Sequence, residues 1–203
     1  MELTWLGHAC FCLEAEGYRI VTDPYAEVEG YPELRTAAHQ VVCSHGHHDH
    51  GAVGQVELLP PRPCPFAIRE VESFHDEAVG ALRGGNTIRV FTAGGVSVAH
   101  LGDLGHMLTE DQLAGIGPVD GVLVPVGGIY TLDAAGAKRV CEALRCRFIV
   151  PMHYHHPPYG LPEVAGAEPF LALWPEAAVH RLEGPAFEAG PETAGVIVPV
   201  FRG

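Results

Sequence analysis

The chain has 203 residues, 47% of them hydrophobic and 18% charged, a length that fits one compact domain spanning 1–203 and a composition that excludes intrinsic disorder. Twelve Lys and Arg against 25 Asp and Glu leave a net charge of −13, and Lys138 is the only lysine, so there is no basic stripe to grip nucleic acid or an anionic membrane surface. The 13 histidines outnumber Lys and Arg together, and four of them fall between His45 and His50.

In chain order, apolar runs broken by glycine and charged turns predict strands at 2–6, 9–14, 18–22 and 41–44, with Gly17 closing an early hairpin. After the histidine cluster a short helix is expected at 52–59, then the Pro60-Pro61-Arg62-Pro63 breaker, a strand at 66–71 and a loop over 76–86. A second hairpin follows at 87–92 and 96–101, turned at Ala93-Gly94-Gly95. The pattern then alternates: helix 110–114, strand 121–126, helix 133–144, strand 147–151, and in the tail a short helix at 169–174 and strands at 179–182 and 196–201. Two packed sheets covered by helices on both sides, an αββα sandwich of mixed α/β class, is the expected architecture. No apolar run is long enough for a membrane span, the strand pattern from residue 2 sets the expectation of no secretory leader, and the six cysteines sit in apolar contexts. A cytoplasmic protein with reduced, buried thiols is the expectation.

The motif that carries chemistry is Ser44-His45-Gly46-His47-His48-Asp49-His50, a His-x-His-x-Asp-His pattern directly after an apolar strand. A turn at a strand end aims successive imidazoles and a carboxylate into one concave space, and neutral imidazole with carboxylate oxygen suits Zn²⁺ and its neighbours. His48 is the odd residue out. One loop cannot complete two sites, and three further donors follow other predicted strands: His75, Asp103 and His153.

These motifs, with Leu6-Gly7-His8, Thr22-Asp23-Pro24, Phe74-His75-Asp76-Glu77, the segment His100 to His106, Pro125-Val126-Gly127-Gly128 and Pro151-Met152-His153-Tyr154, resemble the metallo-β-lactamase superfamily of metal-dependent hydrolases across nearly the whole chain. The resemblance is to its small bacterial branch, which is similar to ascorbate-6-phosphate lactonase and, more remotely, to N-acyl phosphatidylethanolamine phospholipase D. It implies a first metal on His45, His47 and His75, a second on Asp49, His50 and His153, and Asp103 bridging the two. Asp49 and Asp103 are then the catalytic carboxylates, and the metal pair shares a hydroxide that attacks an ester-like, lactone or phosphodiester bond of a small molecule. Zinc is the first choice of metal, with manganese, nickel or iron also compatible. The flavodiiron branch has Glu where this chain has His47, which disfavours a diiron redox site, and the basic arm of the transfer-RNA processing branch is absent. A mononuclear or diiron redox enzyme and a non-catalytic metal- or metabolite-binding module remain the alternative readings.

Around the motif, Asp23 reads equally as an Asx turn or as the acceptor that fixes a ligand imidazole. His8, at the tip of the first hairpin, reads either as facing the metals or as a turn residue, and His100 and His106 read equally as supporting the ligands or as structural histidines; all three stay outside the expected metal set. Gly127 and Gly128 lead to a helix with Thr131 as its expected N-cap, either a simple chain reversal or a cradle for an anionic or phosphorylated substrate. Tyr130, Tyr154 and Tyr159 read as packing aromatics ahead of pocket-lining ones. A homo-oligomer is compatible with the sequence.

Overall fold

The computed structural model describes residues 1–202. Strands β1 (Glu2–Gly7), β2 (Cys10–Ala15), β3 (Tyr18–Thr22), β4 (Thr36–Ala38), β5 (Gln40–Val42), β6 (Val56–Leu58), β7 (Ala67–Phe74), β8 (Gly85–Ala93) and β9 (Val96–His100) fill the first half. The second half adds helix α1 (Glu110–Ile116), β10 (Gly121–Pro125), α2 (Ala134–Leu144), β11 (Phe148–Met152), α3 (Glu168–Leu171), β12 (Val179–Arg181), β13 (Ala186–Glu188) and β14 (Gly195–Val198).

One sheet has the order β13-β1-β2-β3-β5, a second β12-β14-β11-β10-β9-β8-β7, and β4 pairs with β6 alone. A single core holds Leu3, Trp5, Phe11, Leu13 and Ile20 of the first sheet against Val90, Val98, Leu123 and Val150 of the second. Strand alternation explains why β2 is apolar on both faces: Phe11 and Leu13 enter that core, whereas Cys10 and Cys12 point the other way into a smaller cluster with Val21, Tyr25, Leu34 and Val56. β10 and β11 are buried at every position and pair in parallel, as expected of strands covered on both faces. α1 lies against β7 and β8, and α2 against β10. Helix α2 buries a stripe of Gly136, Ala137, Val140, Cys141 and Leu144.

The sandwich is therefore the expected one, with local corrections. The helix expected at 52–59 is a 3₁₀ turn at Val53–Gln55 followed by β6. The two-stranded β4–β6 unit and the preceding loop, in place of a helix, cover the outer face of the first sheet. The cap of α2 is Asp133, whose side chain accepts the Gly136 N–H at 2.7 Å, and not Thr131. β7 runs on to Phe74 because Ser73 and Phe74 keep pairing with Asn86 and Gly85. β13, unmarked in the sequence, completes an edge by pairing with β1. All six cysteines are unpaired, but Cys64 is exposed and Cys43 and Cys146 only partly covered, so the thiols are not uniformly buried. No helix among the described residues is long and apolar enough to cross a membrane.

Candidate metal centre

Topology decides where the chemistry sits. β1 and β3 are each antiparallel to β2, and β5 runs parallel to β3; β7 and β9 are each antiparallel to β8, and β11 shares the direction of β9 through β10. The C-terminal ends of β1, β3, β5, β7, β9 and β11 meet at one rim. The residues just beyond those ends are His8, Asp23, the Ser44–His50 loop, His75, Asp103 and His153. Three of them, His8, Asp23 and His153, adopt left-handed backbone with φ of 51°, 43° and 52°, each at a cost of about 1–3 kcal/mol that the surrounding structure must offset. Gly102 turns the chain into Asp103 at φ 55°, where a side chain would meet Asn86 Oδ1 at 2.3 Å.

All seven expected donors converge. Asp103, 1% exposed, stands at the middle: its Oδ2 is 2.9 Å from His75 Nε2, 3.2 Å from His50 Nε2, 3.3 Å from His153 Nε2 and 4.0 Å from His45 Nε2. Donor atoms of His45, His47 and His75 lie within 4.8 Å of one another, as do those of His45, His50 and Asp103. Those of Asp49, His50 and His153 form a further such group, joined by His8. Of the two readings open for His8, facing the metals or serving as a turn residue, the geometry supports the first.

Three of the imidazoles, those of His45, His50 and His75, are oriented by groups behind them. Asp23 Oδ2 accepts from His50 Nδ1 at 2.9 Å and from Ser44 Oγ at 2.6 Å, and its Oδ1 accepts from the Ser44 amide at 2.6 Å. With its proton given to Asp23, Ser44 Oγ accepts from His45 Nδ1 at 2.9 Å, and the carbonyl of Tyr130 accepts from His75 Nδ1 at 2.9 Å. In each case Nδ1 is engaged behind the ring and Nε2 is left to face the cluster. Of the two readings of Asp23, the geometry supports the acceptor. Asp103 is aimed by Asn86, whose Oδ1 accepts its amide at 2.9 Å while Nδ2 donates to Ser73 Oγ and the Leu101 carbonyl.

Electrostatics follow burial and Asp103. Burial, with the neighbouring His50, pushes His45 down to about 4, and burial with His153 does the same to His8, so both imidazoles are neutral at pH 7. Burial also works against protonating His50, yet Asp103 and Asp23 together outweigh it and hold its pKa well above the usual value; His75 is raised in the same way by Asp103. Asp103 and Asp49 are kept ionised below the usual carboxylate range, burial being overcome by His153 and His50 for Asp103 and by His8 and His50 for Asp49.

Buried polar atoms normally find partners. Here His8 Nε2, His45 Nε2, His50 Nε2, His153 Nδ1 and Asp103 Oδ1 have none. Orphaned imidazole nitrogens beside orphaned carboxylate oxygen are the donor chemistry that divalent cations take, and the residues present fit such a group.

Neighbouring candidates resolve differently. His100 donates through Nε2 to the Ala9 carbonyl and accepts the Gly102 amide on Nδ1, and His106 accepts the Phe74 amide and donates to the Met107 carbonyl, so neither has a nitrogen to spare. His48 is exposed. At the Gly127-Gly128 turn the amides of Gly128, Tyr130 and Thr131 are already spent within the turn, which leaves the chain-reversal reading. Tyr154 packs on Trp5 at 5.5 Å, and Tyr130 donates its hydroxyl to Glu163 at 2.9 Å.

Residues 2–153 match the β-lactamase superfamily domain family. The chain belongs to this family. A metal-dependent hydrolase of Carboxydothermus hydrogenoformans is 30% identical over 194 residues, covering 76% of this chain and 85% of that one, and one of Hyperthermus butylicus is 32% identical, covering 74% and 82%. A crystal structure from Thermotoga maritima, assigned to the Zn-dependent hydrolases of the metallo-β-lactamase superfamily, superposes with TM-score 0.77 at 36% identity over 98% of this chain and 97% of that one. This β-lactamase-superfamily protein is a metal-dependent hydrolase. Its fold alone is shared more widely, for example with human tRNase Z short form at 12% identity and TM-score 0.56, covering 76% of this chain and 93% of that one.

Proposed function

We propose that the protein uses two divalent cations, zinc first among them with manganese, nickel or iron as alternatives, to hydrolyse an ester-like, lactone or phosphodiester bond of a small molecule in the cytoplasm. The observation that carries the reading is the position of Asp103 Oδ2 among the Nε2 atoms of His50, His75 and His153. His45, His47 and His75 would hold one cation, Asp49, His50 and His153 the other, with Asp103 shared. Cations there supply a water acidic enough to ionise near neutral pH and an electrophile for a substrate oxygen.

The chain's own residues do the rest. Asp23, Ser44 and Tyr130 fix ring orientation, so no reorganisation is needed when substrate arrives. Asp49, ionised and only partly covered, can accept a hydrogen bond from the attacking water and so orient it. A cavity of about 570 Å³ lies beside His75 beyond the Tyr130 carbonyl and is lined by Leu82, Arg83, Ile129, Tyr130 and Arg139. Its size suits the non-reacting part of a small molecule. Arg83 and Arg139 share its lining with Asp76, Glu77 and Asp133, so it presents charge of both signs to the bound molecule. The charge of −13 argues against nucleic acid and anionic membranes as partners.

The test is a panel of lactones, carboxylate esters and phosphodiesters given to the metal-loaded protein. Turnover of one bond class, abolished by chelator and restored by cation, is expected. Complete metal loading with no turnover of any class contradicts the reading.

A further inference from the structure

His8 lies in the turn between β1 and β2 and is 2% exposed. Its ring centroid is 4.1 Å from that of His153 and 5.2 Å from that of His50. Its Nε2 is buried without a hydrogen-bond partner; the nearest acceptor, Asp49 Oδ2, is 3.5 Å away, beyond a good hydrogen bond. The backbone that puts the ring there is left-handed and pinned, because the His8 carbonyl accepts both Trp5 Nε1–H at 3.0 Å and the His153 amide at 3.2 Å. A histidine kept for packing satisfies its nitrogens, as His100 and His106 do. His8 does not, and its orphaned nitrogen points at the donors of Asp49, His50 and His153, all mutually within 4.8 Å.

We propose that His8 is a ligand of the second cation, completing a set of three imidazoles and one carboxylate with Asp49, His50 and His153. This rests on the two-cation reading and deepens it. The consequence is asymmetry. With the shared Asp103 counted on both sides, His8 brings the second cation to five protein donors against four for the first, so the first keeps the less crowded shell. Substrate and water are then handled on the His45–His47–His75 side, next to exposed His47, and the second cation chiefly holds Asp49 and Asp103 in place.

The test uses the full chain, stripped with chelator and titrated with Zn²⁺ against a chromophoric competitor. Wild type should take up two equivalents. His8→Asn, chosen because Asn tolerates left-handed backbone, should keep the first event and lose at least about tenfold in affinity for the second. In parallel, ¹⁵N-histidine-labelled wild type loaded with ¹¹³Cd²⁺ should show six cadmium-coupled imidazole nitrogens, from His8, His45, His47, His50, His75 and His153, a readout that does not need the variant to fold. Two full-strength equivalents in His8→Asn, or five coupled imidazoles in wild type, overturn the role of His8 while leaving two cations in place. A wild type that saturates at one equivalent overturns the two-cation reading and the His8 proposal with it.

Discussion

Asp103 carries more of the site than any other side chain, since three imidazole Nε2 atoms lie within 3.3 Å of one of its oxygens. Asp103→Asn keeps the shape and removes the charge; metal content of the variant should fall towards one per chain and kcat by several orders of magnitude. Asp111→Asn, on the exposed first turn of α1, should change neither, as read by elemental analysis and turnover. The same carboxylate gives the metal-free site a pH signature. His50 and His75 are raised by Asp103, so they bind protons that a cation must displace, whereas His8 and His45, near 4, have none to lose at pH 7. Metal uptake should therefore release protons at pH 7, and affinity should rise with pH until it passes the raised pKa of His50. Calorimetry in buffers of different ionisation enthalpy reads this directly; a buffer-independent heat would show that the imidazoles are already neutral.

The strand-end loops depend on anchors that are not ligands. Asp76, directly after His75, receives the amides of Ala78, Gly80, Leu82 and Arg83 at 2.8–3.2 Å and so folds the 76–84 loop around one carboxylate. These four donors outweigh burial and lower its pKa, so the loop's support is present above the ordinary carboxylate pKa and is lost as pH falls below it. Asp76→Ala should open the loop to limited proteolysis between 77 and 84 while the strands stay protected in hydrogen exchange; an unchanged cleavage pattern would show the loop is held otherwise. Within β10, Gly121 gives its space to the Phe148 ring: a Cβ would sit 2.1 Å from ring carbons. Gly121→Ala should cost about 1–3 kcal/mol by overpacking, and adding Phe148→Leu should recover part of it, as measured by urea denaturation.

Across the whole molecule the two sheets share one core, and a deletion at its centre should be costly: Phe11→Ala, fully buried between the sheets, is expected to lower stability by about 3–5 kcal/mol. The site was legible because its donors are chemically rare types placed after apolar strands: His45 to His50 form a local pattern, and His75, Asp103 and His153 each follow a strand. His8 was harder to read because a histidine after Leu6-Gly7 is as easily a turn residue, and only the pairing of β1, β2 and β3 brings it to the rim. Short elements escaped for a related reason: β4, β6 and β13 have three residues each and, unlike the equally short β5 and β12 where strands were expected, are defined chiefly by the strands they pair with. The helix expected at 52–59 failed because its apolar residues serve the outer cluster through Val56 from an extended strand. The measurement closest to the central claim is elemental analysis of the full chain after stripping, reloading and desalting, run side by side on wild type and Asp103→Asn. Two metals per chain are expected in wild type and no more than one in the variant; a wild type that saturates at one, or a variant that holds two and still hydrolyses substrate, would contradict a paired-cation site bridged by Asp103.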